Sequence, residues 1–100
     1  MGFVCLLQIH LFFPESGSLK TKRKDLVALK AQLQRRFGAA VSETDHHELW
    51  QRATLSAALV GPEARSVDRA ASMLERYVES RFPDGVRVER ALVSADEVLG

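Results

Sequence analysis

The sequence predicts an α+β sandwich whose elements follow the order βαββαβ. Apolar residues alternate with a period of two over residues 3–13, 50–60 and 86–93. Between these runs, residues 19–37 and 62–81 repeat their apolar positions at helical spacing. Turn residues separate the two periods: Pro14-Glu15-Ser16-Gly17, Gly61-Pro62 and Pro83-Asp84-Gly85.

The first strand places Phe3, Cys5, Leu7, Ile9, Leu11 and Phe13 on one face. The other face (Val4, Leu6, Gln8, His10, Phe12) is largely apolar too, which suits a central strand. Ser18 is positioned as an N-cap, and Leu26, Leu29, Leu33 and Phe37 form the buried stripe of the first helix, with Val27 and Leu19 nearby. Arg35 and Arg36 fall in its last turn, where cations suit the dipole, and Gly38 sits where a left-handed glycine ends a helix. A short second strand, 39–44, has Val41 as its core residue. After a polar connection, the third strand alternates Ala53, Leu55, Ala57 and Leu59 with Arg52, Thr54 and Ser56. Pro62 is expected at the start of the second helix, where its missing N–H costs nothing, and Val67, Ala71, Leu74 and Val78 are its buried stripe. This is the ferredoxin-like arrangement: a four-stranded antiparallel sheet of order 4-1-3-2 with both helices on one face. Residues 1–93 form a single domain, and 94–100 read as a loose tail.

Composition narrows the function classes. With 46% hydrophobic and 27% charged residues, the chain is neither disordered nor membrane-spanning in character. The longest apolar run, broken by Gln8 and His10, is too short to span a bilayer and lacks the features of a secretory signal. One cysteine, Cys5, permits no intrachain disulfide and no CxxC metal motif, which fits a reducing, cytoplasmic setting. The net charge of +1 hides an asymmetry. Residues 18–36 carry seven Lys or Arg against the single acid Asp25, and the rest of the chain carries seven Arg against twelve acids. Clustered charge of this kind marks where an anionic partner would dock.

The topology brings the start of the first helix, the end of the second strand and the start of the third to one edge. Lys20, Lys22, Arg23 and Lys24 meet Glu43, Asp45, His46 and Glu48 there, beside Trp50, Gln51 and Arg52. Cations at a helix N-terminus oppose the macrodipole. Either Glu43, Asp45 or Glu48 pairs with Lys22 or Arg23 and ties the first helix to the sheet, with Arg23, Glu43 and Asp45 the leading candidates, or helix N–H groups and basic side chains together form a phosphate site. Lys22 and Arg23 lie on or beside the buried stripe, whereas Lys20 and Lys24 point outward. Adjacent His46 and His47 point to opposite sides of an extended segment, which is poor metal geometry, so no metal is expected. Trp50 reads first as an apolar plug and alternatively as a base-stacking platform. Cys5 reads as a buried, inert thiol.

Catalysis finds little support. GxSxG, P-loop and GxGxxG motifs are absent. Acylphosphatases share this topology but use an Arg after the first strand and an Asn on the second; this chain has no Asn and no Arg in that loop. RNA-recognition domains stack bases on aromatics of the central strands, where this chain carries Gln, His, Thr and Ser.

The combination Ser18-Leu19-Lys20-x-Lys22-Arg23 with Val41-x-Glu43-x-Asp45-His46-x-x-Leu49-Trp50-Gln51-x-Ala53 resembles the YlxP-like family of small bacterial proteins over residues 3–93. The resemblance implies a ferredoxin-like fold. The family is largely a domain of unknown function, with genes tending to lie among those for translation initiation and ribosome maturation, and it implies no catalytic residues. The expectation is therefore a non-enzymatic cytoplasmic module that needs no cofactor or small-molecule substrate. It would bind structured RNA or a ribosomal subunit through Lys20, Lys22, Arg23, Lys24, Lys30, Arg35 and Arg36, flanked by Trp50 and Arg52. The alternative is a protein-interaction or homodimerisation module using the open sheet face or a sheet edge.

Overall fold

The computed structural model describes residues 1–14 and 17–100. Its elements are β1 (Phe3–Phe12), α1 (Leu19–Phe37), β2 (Ala40–Asp45), β3 (Arg52–Gly61), α2 (Ala64–Arg81), β4 (Val86–Ser94) and α3 (Ala95–Leu99). The strands form one antiparallel-paired sheet of order β2-β3-β1-β4, the ferredoxin-like arrangement, with β1 and β3 at its centre. Part of the turn read at 14–17, Glu15 and Ser16, lies outside the described residues.

The core sits between one sheet face and α1 and α2. Cys5, Leu7, Ile9 and Leu11 of β1 and Ala53, Leu55, Ala57 and Leu59 of β3 meet Leu26, Leu29 and Leu33 of α1 and Val67, Ala71, Leu74 and Val78 of α2. Two periods, 2.0 and 3.6, thus converge on one apolar layer. Phe13 closes its end, edge-on to Phe82 at 5.5 Å. Burial pushes the Cys5 thiol up, against a smaller opposing pull from Arg90.

Helix α1 begins and ends as its sequence implies. Ser18 is extended (φ −163°) and its hydroxyl accepts the Thr21 N–H. Gly38 is left-handed (φ 66°) and donates its N–H to Gln34 O. Elsewhere the expectations need adjustment. The third strand begins at Arg52, because the carbonyls of His46, His47 and Leu49 turn toward Lys22 of α1. Pro62 precedes α2 instead of opening it, and Glu63 occupies the N-cap position. Val41 is only half-buried on the edge strand β2, and Val27 faces water. The tail read as loose forms α3, anchored where the Ala95 N–H donates to Gly2 O at 2.8 Å.

The second sheet face is uncovered, and its register sorts it into two halves. Val93, Val4 and Val60 lie in one row across the strands, and Ala91, Leu6, Ala58 and Ala40 in the next. Beyond them come Glu89, Gln8, Ser56 and Ser42, then Arg87, His10 and Thr54, and finally Phe12 beside Arg52. One half is apolar and the other polar, with hydrogen bonds running from Thr44 through Ser56 to Gln8.

Where β4 begins, Gly85 O accepts the Phe12 N–H at 2.8 Å, and a Cβ on Gly85 would stand 2.5 Å from Phe12 O. Backbone oxygen cannot swing aside as a side chain can, so Gly85→Ala must displace the start of β4 from β1. Urea denaturation should show a loss of about 1–3 kcal/mol, the range of overpacking substitutions; unchanged stability would mean that β1 and β4 accommodate the methyl group without separating.

Candidate functional site

Lys22 is the one charged side chain of the described core, fully buried at 0% exposure. It lies on the same stripe of α1 as Leu26, Leu29 and Leu33, so its stem is covered by apolar neighbours. An ammonium has three N–H donors. Here they meet Leu49 O at 2.6 Å, His46 O at 2.7 Å and Arg52 O at 2.9 Å, with His47 O further away at 3.4 Å. Glu43 Oε2 stands 3.6 Å from the nitrogen and has no hydrogen-bond partner. With the three donors taken by carbonyls, the carboxylate contributes attraction through space alone. Such an arrangement offsets the several kcal/mol that burying a charge costs. A compact ammonium meets these scattered acceptors, whereas a planar guanidinium would not.

The connection from β2 to β3 therefore wraps around a side chain of α1. Two of the anchored carbonyls, Leu49 and Arg52, bracket Trp50 and Gln51, and the Gln51 carbonyl accepts the Phe13 N–H at 2.7 Å. Trp50 is nevertheless 54% exposed, and Leu49 46%. The loop backbone is held while its apolar side chains stand in water, which overturns the reading of Trp50 as a buried plug. Beside this loop, Lys20, Arg23 and Lys24 of the first turns of α1 are exposed and make no ion pair among the described residues. Arg35 is exposed near the far end of the helix, Lys30 is half-buried, and Arg36 lies over the Tyr77 ring at 4.8 Å.

Several sequence expectations change here. Lys22, counted among the phosphate-binding residues, is sealed inside the protein and reaches no phosphate. Of the two cations expected to pair with the acids of β2, Lys22 does face Glu43, whereas Arg23 meets neither Glu43 nor Asp45, whose Oδ1 accepts the His46 N–H at 2.7 Å. Helical phase decides this, since Lys22 points to the sheet and Arg23 is turned away from it. Arg52 starts β3 across from Phe12, where it lines a hollow on the open face as well as one beside Leu49 and Trp50.

On that open face the structure gathers into one hollow side chains that strand alternation already sets on a common side. His10, Phe12, His46, Arg52, Asp84 and Arg87 line a hollow of about 480 Å³ at the strand ends. His10 is fixed by Thr54 Oγ1 at 3.3 Å and by Glu89 Oε1 at 2.7 Å. Its bond, with Arg87 at 3.2 Å, holds the Glu89 carboxyl below the usual range. The row His10–Thr54–Arg87 follows from antiparallel register and was in principle readable. The arrival of His46 from the loop was not. Among the described residues no three His, Cys, Asp or Glu side chains are placed to hold a metal ion, and no helix is long and apolar enough to cross a membrane.

The family profile described as "Protein of unknown function (DUF503)" matches residues 4–91. No curated protein matches the chain. Among solved structures, the de novo designed protein Foldit4 is similar with a TM-score of 0.60 at 9% identity, covering 94% of this chain and 98% of that one. The de novo designed protein LFR1 1, with ferredoxin fold, matches with a TM-score of 0.46 at 9% identity, over 91% of this chain and 85% of that one. At such identity the similarity to Foldit4 concerns the fold alone.

Replacing Lys22 by Met leaves three carbonyls and Glu43 without their cation. Stability should fall by about 3–5 kcal/mol, the cost of removing one partner from a buried charge cluster. Adding Glu43→Gln to Lys22→Met should recover part of that loss in urea denaturation. Equal stability of the Met variant and the natural chain would show that the ammonium contributes nothing net.

Proposed function

The chain belongs to the DUF503 family, which is defined without a function, and from that premise we propose that it is a non-enzymatic module that binds structured RNA. In this reading Lys20, Arg23, Lys24 and Arg35 contact phosphates, and the indole of Trp50 stacks on an unpaired base. The observation that carries it is the Lys22 anchor, which seats the exposed tryptophan loop against the exposed cations of the first turns of α1. A basic surface beside a fixed aromatic platform is the combination that single-stranded segments of RNA require. Holding the loop in advance lowers the entropy lost on binding. The YlxP-like resemblance, with its link to translation and ribosome maturation, makes ribosomal RNA the first substrate to try and the bacterial cytoplasm the setting.

The test is fluorescence anisotropy with a labelled RNA hairpin bearing an unpaired loop. Four neutralised phosphates give a log–log salt slope of about −3. The variant K20E/K24E/R35E should bind at least tenfold more weakly and flatten that slope. Trp50→Ala should cost about 1–3 kcal/mol of affinity without changing the slope. Binding indifferent to both salt and charge reversal would end this reading.

The apolar half of the open face favours a second reading, self-association, since Leu6 is 53% and Val60 74% exposed. From strand spacing and rise, that half measures on the order of 300 Å², against about 800 Å² per partner in a stable complex. The patch therefore ranks second, as a weak contact. Sedimentation velocity should give a monomer at tens of micromolar, with Leu6→Glu abolishing any dimer at millimolar concentration; a tight dimer would reverse the ranking.

A further inference from the structure

We infer that the hollow at the strand ends of the open face is a binding site for a nucleoside monophosphate group, free or as the phosphorylated terminus of a strand. This goes beyond the RNA reading above, because it uses the opposite side of the sheet and none of the cations of α1.

The residues define where each part of such a ligand would lie. Phe12 stands in the middle strand with its side chain 45% exposed on the open face, offering a flat apolar floor. Register sets Arg52 directly across from Phe12 on β3, and Arg87 across from His10 on β4. The two guanidiniums therefore approach the floor from opposite sides. Arg87 gives Nη1 to Glu89, leaving its other N–H donors free. Arg52 has no ion pair among the described residues, although its own carbonyl is held by Lys22. Of the acids around the hollow, Asp84 and Glu89 come from the β4 side, where Glu89 is engaged by His10 and Arg87, and Asp45 stands on the β3 side with its Oδ2 3.8 Å from His46 Nε2. Arg52 is thus the cation of the hollow that no acid among the described residues engages. A phosphate belongs there, a planar ring belongs on Phe12, and the ring's polar edge faces His10 and Arg87.

His46 reaches the same hollow through the anchored loop. Its φ is +64°, and it is the only non-glycine of the described residues with positive φ. That conformation is costly for a side chain other than glycine and persists only where several contacts impose it. Asp45 Oδ1 holds its N–H at 2.7 Å, and Lys22 holds its carbonyl at 2.7 Å. The result is an imidazole turned to the hollow, on the Arg52 side, with 28% of the side chain exposed. A bare phosphate would leave most of about 480 Å³ unfilled, whereas a mononucleotide uses both the floor and the cations.

The full chain, labelled with ¹⁵N, should be titrated with adenosine 5′-monophosphate, adenosine and inorganic phosphate while backbone amide shifts are followed. The monophosphate should give saturable shifts at Phe12, Arg52, Gly85 and Arg87. Adenosine and inorganic phosphate should each bind at least tenfold more weakly. Arg52→Ala, an exposed position, should weaken the monophosphate tenfold with its spectrum otherwise intact. A trinucleotide with and without its 5′-phosphate separates the sources. Tighter binding of the phosphorylated trinucleotide than of the monophosphate assigns the site to strand ends, and the reverse order to free nucleotide. Shifts that do not saturate, equal binding of adenosine, or an unaffected Arg52→Ala variant would overturn the site. Shifts confined to α1 would do so as well, while leaving the RNA reading standing.

Discussion

One buried ammonium organises this end of the molecule. Lys22 enters the core from a helix, a position where a charge is tolerated only if every donor finds an acceptor. It finds them in the backbone of a single connection, at His46, Leu49 and Arg52. Four consequences follow from that one arrangement. The connection is kept from extending β3, the first turn of α1 is tied to the sheet, Trp50 is held outward, and His46 is bent into a left-handed conformation. The cation also lies near the start of a helix, where its charge opposes the dipole. The carbonyl oxygens around it reverse that local balance, so the anchor and the helix end do not conflict.

The two faces that this anchor joins differ in character. Outward from α1, cations with no acidic partner among the described residues sit beside an aromatic loop, a surface suited to a polyanion with exposed bases. On the open side of the sheet, the same strands that pack the core present an apolar half and a polar half. The polar half is internally bonded, through Thr44, Ser56 and Gln8 and through Thr54, His10 and Glu89. Such pairing fixes side-chain positions before any ligand arrives, which suits a site more than a slippery interface. The apolar half is too small to hold two copies together firmly. On α2 it is the acids that are answered: Arg90 of β4 reaches across to Asp68, Ser72 and Glu75.

Periodicity and turn residues determined the four strands, the two long helices, the sheet order and almost the whole core, but not α3. A period of two buried on one side and a stripe of 3.6 can meet in few ways, and short turns leave one. Ser18 and Gly38 announced the ends of α1 because caps are local chemistry, decided by a residue and its near neighbours. The meeting of the basic turn with residues 43–52 was also legible, since strand direction dictates it. What the sequence could not distinguish was Lys22 from Arg23 as the partner for Glu43. These are neighbouring cations of one cluster, separated only by 100° of helical phase and by the exact docking of α1. That rotation is set by packing of Leu26, Leu29 and Leu33 against the sheet, a tertiary matter. The same holds for the hollow: His10, His46, Arg52 and Arg87 are far apart in the chain. Only strand register and the loop bent around Lys22 bring them within reach of one ligand.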